Sequence, residues 1–124
     1  MRNFVLSAAA AAAAAAAMIA GPAFAHTKLV TANPAPDATV RSVENPVQIT
    51  FNEPVMPRFV TLAVTGPDGA RLHVATVAVD PKNKSRVNAV VHGFGRPGAY
   101  KVDWTAAGSD MHRMTGSYSF TLRP

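Results

Sequence analysis

From Lys28 to the C-terminus, no regular pattern lasts long before Pro, Gly, Asn or Asp interrupts it. That punctuation leaves room for short strands joined by turns and for little else. Val47, Ile49 and Phe51 alternate with Gln48, Thr50 and Asn52, the period-two signature of a strand buried on one face. Tyr100, Val102 and Trp104 repeat the pattern within Ala99 to Thr105, as do Tyr118, Phe120 and Leu122 within Ser117 to Leu122. Further strands are predicted over Lys28 to Ala32, Val60 to Thr65, Arg71 to Val79 and Arg86 to Val91. Asn33-Pro34-Ala35-Pro36-Asp37 and Gly95-Arg96-Pro97-Gly98 are turns, and Asp80-Pro81-Lys82-Asn83 breaks a strand. Gly66-Pro67-Asp68-Gly69, with Pro at its second position, predicts a hairpin from the fourth segment into the fifth. No segment carries apolar residues at helical spacing over three turns. About seven strands at roughly ten-residue spacing imply an all-β fold, a small Greek-key sandwich or barrel of the Ig-like or cupredoxin-like kind.

The first 25 residues follow another logic. Arg2, an alanine-rich apolar stretch and Ala23-Phe24-Ala25 before His26 read as a secretory signal peptide cleaved after Ala25. The expected mature chain is one β-domain over residues 26–124, exported, not inserted in a membrane, and monomeric. The formal charge of +5 includes Arg2, and the remaining basic residues are scattered without a cluster or interleaved aromatics, which argues against nucleic acid as a partner. The chain has no cysteine. An exported domain of this size therefore relies on its core alone, without disulfides, and thiolate zinc sites, thiol nucleophiles and blue-copper centres are excluded. No Gly-x-Ser-x-Gly elbow is present to support a hydrolase.

Cleavage after Ala25 would make His26 the first residue. An N-terminal histidine offers its α-amine and its ring Nδ1 to one metal ion, and an amine with an ordinary pKa near about 8 yields its proton when a metal competes for it. Asp110-Met111-His112 supplies a carboxylate and an imidazole two residues apart. In an extended segment both would point to one side. Such mixed nitrogen and oxygen donors suit Cu(II), which heads the affinity order for them; zinc, with its tetrahedral preference, competes. A solvated loop with no metal is the bland alternative for Asp-x-His alone. His73, within a strand, and His92, at a strand end, read as surface residues; Met111 and Met114 read as core or pocket wall, and Trp104 as a core anchor.

His26-Thr-Lys-Leu-Val, Asn33-Pro-Ala-Pro-Asp and the block from Gly98 through Tyr-Lys-Val-Asp-Trp to Ser-Asp-Met-His-Arg-Met-Thr-Gly-Ser-Tyr-Ser-Phe resemble the periplasmic copper-resistance proteins of the CopC type. The resemblance covers essentially the whole mature chain. It implies a small β-sandwich that carries or buffers Cu(II) in the periplasm for copper homeostasis and resistance. It places the metal ligands on His26, Asp110 and His112. It also puts Glu53, in Phe51-Asn-Glu-Pro, near the metal as an auxiliary ligand or as a carboxylate that orients one. An inner-membrane copper transport protein of the CopD type is the implied partner. Some members carry a methionine-rich loop for Cu(I); Leu62 to Val74 here contains no methionine, so a single Cu(II) site is expected. Two other readings remain. One is a copper mono-oxygenase using an N-terminal histidine brace, disfavoured by the small domain and by Asp110 filling the open position. The other is a metal-free Ig-like structural module.

Overall fold

A computed structural model of the chain describes residues 26–124; the predicted signal peptide lies outside the described residues. Among the described residues eight strands form: β1 (Leu29–Asn33), β2 (Thr39–Val40), β3 (Val47–Phe51), β4 (Thr61–Thr65), β5 (His73–Asp80), β6 (Asn83–His92), β7 (Gly98–Ala107) and β8 (Arg113–Leu122). A 3-10 turn, Pro57–Phe59, precedes β4. The strands make two four-stranded sheets, in the orders β1-β3-β6-β5 and β2-β8-β7-β4. Among the described residues no helix is long and apolar enough to cross a membrane.

The alternation seen in the sequence decides which faces meet. Val47, Ile49 and Phe51 of β3 and Val87, Ala89 and Val91 of β6 are buried, and they pack with Val64, Tyr100, Val102, Trp104, Phe120 and Leu122 from the other sheet. Phe51 and Trp104 cross edge-to-face at 5.0 Å between centroids, while Tyr100 and Phe120 stack at 5.6 Å. Trp104 is thus the core anchor expected of it. The partner of Trp104 across β7–β8 is Gly116, and a Cβ there would overlap the indole ring. Glycine makes room for the largest side chain in the core.

Two features differ from the sequence expectation. The extra strand is β2, whose two residues pair in parallel with Thr121 and Leu122. The hairpin expected across Gly66–Gly69 does not form, although the turn does, with Gly69 N–H donating to Gly66 O at 3.0 Å and Gly69 at φ 84°. β4 pairs with β7 and β5 with β6, so this turn carries the chain from one sheet to the other; a single bridge, Thr65 to Arg71, joins the two arms. The tight hairpin lies instead at Asp80-Pro81-Lys82-Asn83, where Asp80 faces Asn83 and joins β5 to β6.

The register sets the two ends of the sandwich. Leu29 pairs with Phe51 and Ala107 with Arg113, and Val55 N–H donates to Lys84 O. Residues 26–28, 52–56 and 107–113 therefore gather at one end. The β4–β5 turn and His92 lie at the other.

Candidate metal centre

At the first end the N-terminal segment is fastened by one asparagine. Asn52 Nδ2 donates to His26 O at 2.9 Å, Asn52 Oδ1 accepts from Lys28 N at 2.8 Å, and Asn52 N donates to Lys28 O at 3.0 Å. Between these, Thr27 is buried at 3% exposure, and its hydroxyl donates to Glu53 Oε1 at 3.0 Å. This clamp holds the backbone of His26 in place and leaves its ring exposed.

The second half of the site is the β7–β8 connection. Asp110 to His112 is not extended but belongs to a turn. Met111 N–H donates to Gly108 O at 3.0 Å, and Met111 takes φ 64°, a left-handed conformation a strand does not use. The short aspartate side chain bonds its own backbone two residues on, Asp110 Oδ1 accepting from His112 N at 3.1 Å. The carboxylate and imidazole still face each other, with His112 Nδ1 3.6 Å from Asp110 Oδ2, but through turn geometry rather than strand period. Both side chains are open to solvent, His112 at 77% and Asp110 at 47%.

The two halves meet. The rings of His26 and His112 stand 6.5 Å apart, inclined by 65°. Glu53 lies between the segments: its Oε1 takes the Thr27 hydroxyl, and a Cβ on buried Gly108 would overlap the same oxygen. The four residues singled out in the sequence thus occupy one end of the sandwich. Among the described residues no three His, Asp or Glu side chains converge at metal-binding distance. The close pair is Asp110 with His112, and the His26 ring lies 6.5 Å from that of His112. Two imidazoles and a carboxylate on exposed segments thus lie near one another, donor types that suit a divalent transition metal.

The other side-chain expectations are met in part. His73 and His92 are exposed and paired across β5–β6 at the far end, their rings stacked 6.1 Å apart. Met114 is half-buried against the core, while Met111 is 52% exposed rather than a wall residue. Sequence reasoning missed Thr27, Asn52 and Gly108, which position the site without offering ligands. A glycine directly before Ser109-Asp110 is the signal by which Gly108 could have been found.

A family model for the CopC domain matches residues 29–123. Copper resistance protein C of Escherichia coli is 34% identical over 113 residues, spanning 85% of this chain and 87% of that protein. Copper transport protein CutJ of Bacillus subtilis is 25% identical over 99 residues, which are 80% of this chain but 18% of that longer protein. The crystal structure of PcoC, a methionine-rich copper resistance protein from Escherichia coli, superposes with a TM-score of 0.69 at 27% identity, covering 80% of this chain and 100% of that one. Sequence and fold agree over nearly every described residue, and the chain belongs to the CopC family of copper-resistance proteins.

Proposed function

We propose that this protein is a periplasmic Cu(II) carrier and buffer, made active by removal of its first 25 residues. The observation that carries the reading is the approach of the His26 and His112 rings to 6.5 Å beside Asp110. In this account the α-amine and ring of His26 form one chelate, and His112 and Asp110 complete the donor set. Glu53 holds the N-terminal segment against the β7–β8 turn and orients it toward the metal. The unprocessed precursor lacks the amine and so cannot build the chelate. The exposure of Asp110 and His112 favours exchange of the ion over chemistry on a bound substrate. Copper is the cargo, taken up and passed on, and the protein acts as a monomer with no enzymatic step. The likeness to part of a copper transport protein supports an inner-membrane copper transporter of the CopD type as the partner.

Every proposed donor binds metal in its deprotonated form, so acidification drives copper off. The β4–β5 turn contains no methionine, unlike what the methionine-rich name of PcoC describes, which supports a single Cu(II) site with no thioether site for Cu(I). The processed protein is expected to take up one equivalent of Cu(II) with a tetragonal EPR spectrum. His112→Ala is expected to weaken binding at least about tenfold, and anaerobic Cu(I) to find no tight stoichiometric site. Unchanged Cu(II) affinity in His112→Ala would refute the ligand assignment; tight Cu(I) uptake would refute the single site.

A further inference from the structure

The 3-10 turn Pro57–Phe59 hangs from the bond between Met56 N–H and Ala107 O, 2.9 Å long. Ala107 pairs across β7–β8 with Arg113, the residue after His112. The turn thereby sets the Phe59 ring beside Arg113, and two guanidinium groups share it: Arg58 Cζ is 5.0 Å and Arg113 Cζ 4.9 Å from its centroid. Each cation is attracted to the electron-rich face of the ring. Among the described residues the ion pairs engage Arg86, Arg96, Lys101 and His112, and neither Arg58 nor Arg113 has an acidic partner. Both arginines are exposed, and so is Lys28, two residues beyond His26. The carboxylates of this end have other partners, Glu53 Thr27, Asp110 His112, and Asp80 the Lys82 amide, Asn88 and Arg86.

The rim of the candidate metal centre is therefore positive, with two unused planar forks held on one ring. A guanidinium fork matches a carboxylate bidentately, and holding it on an aromatic face reduces the ordering cost of that match. We propose that Arg58, Phe59 and Arg113 form a docking element for an acidic segment of the protein with which this chain exchanges copper. The copper part rests on the function proposed above; the docking element does not. A carboxylate seated on Arg113 lies next to exposed His112, where an incoming ligand must arrive to take over a metal ion. A membrane surface fits less well, because lipid binding uses a run of adjacent basic residues, whereas the remaining basic residues of this chain are dispersed over the sequence.

The first test uses the metal-free processed protein and an end-blocked hexaglutamate peptide at low ionic strength. NMR shifts are expected to concentrate at residues 57–59 and 112–114. Affinity should fall at least about fivefold in the double variant Arg58→Gln/Arg113→Gln, with Arg58→Lys/Arg113→Lys in between because it keeps charge and loses the fork. Phosphatidylglycerol vesicles should not sediment the protein. Peptide binding unchanged in the Gln variant, shifts centred elsewhere, or vesicle binding abolished by the Gln variant would each overturn the proposal. In the copper-loaded protein, removal of the metal by anionic nitrilotriacetate should slow in the Gln variant, while removal by cationic diethylenetriamine should not. If the peptide result holds and the protein takes up no Cu(II), the docking element stands and the carrier reading falls.

Discussion

Glu53 is held between two segments of the chain. Its Oε1 receives the Thr27 hydroxyl on one side and lies against Gly108 on the other, so one carboxylate links the segment bearing His26 to the turn bearing Asp110 and His112. Because Gln retains the accepting oxygen, Glu53→Gln should keep most of the Cu(II) affinity. Glu53→Ala should lose roughly tenfold or more, as expected for a residue that orients ligands. An equal loss in both, read by competition titration, would make Glu53 a direct ligand. Gly108→Ala should behave like Glu53→Ala, since the new Cβ takes the space of the carboxylate. At this scale Asp110 and His112 were legible as a pair of donor types at close spacing, but their geometry was not. The spacing fits an extended strand equally well, and only the left-handed Met111 and the bond from His112 N to Asp110 decide for a turn. Asn52 carried no sequence signal, because its role is to bond backbone atoms of a segment 24 to 26 residues away.

Among the elements, the β5–β6 hairpin is the one whose closure is chemically explicit. Asp80 Oδ1 accepts from Lys82 N at 2.8 Å, Oδ2 accepts from Asn88 Nδ2 at 3.2 Å, and Arg86 stands 3.7 Å away. The Lys82 amide, the Asn88 amide group and the Arg86 charge hold the Asp80 carboxyl below its usual range, against a smaller opposing effect of burial. A carboxylate whose pKa is lower in the folded state stabilises the fold above its unfolded pKa, and that contribution fades as pH falls toward the folded value. Asp80→Asn should therefore lower the thermal midpoint at neutral pH, with the gap to the parent shrinking below about pH 4. A gap that stays constant with pH would mean that the charge is irrelevant to the turn. The sequence marked Asp80–Asn83 only as a strand break and Gly66–Gly69 as a hairpin turn, yet the first closes a hairpin and the second changes sheets. Local turn chemistry is similar in both; what separates them is whether β4 finds β7 or β5, a choice made by the packing of distant strands. The two-residue β2 was illegible for a related reason, since its pairing with β8 leaves no period to read.

At the level of the molecule, strict alternation along β3, β7 and β8 made the all-β sandwich legible, because each strand has one face to bury and the fold must bury all of them together. The same register draws the N-terminal segment and the β7–β8 turn to one end, so the scaffold brings together residues 26 and 112, which sequence distance alone would not join. Under the function proposed above, the scaffold would supply one half of the donor set, and removal of residues 1–25 would supply the other by freeing the amine of His26. The most direct test is to titrate Cu(II) into two purified forms, one beginning at His26 and one with a single extra residue before it, following EPR and Trp104 fluorescence. One tight tetragonal site in the first form, much weakened in the second, is the predicted result. Equal binding by both forms would remove the His26 amine from the site and contradict the account.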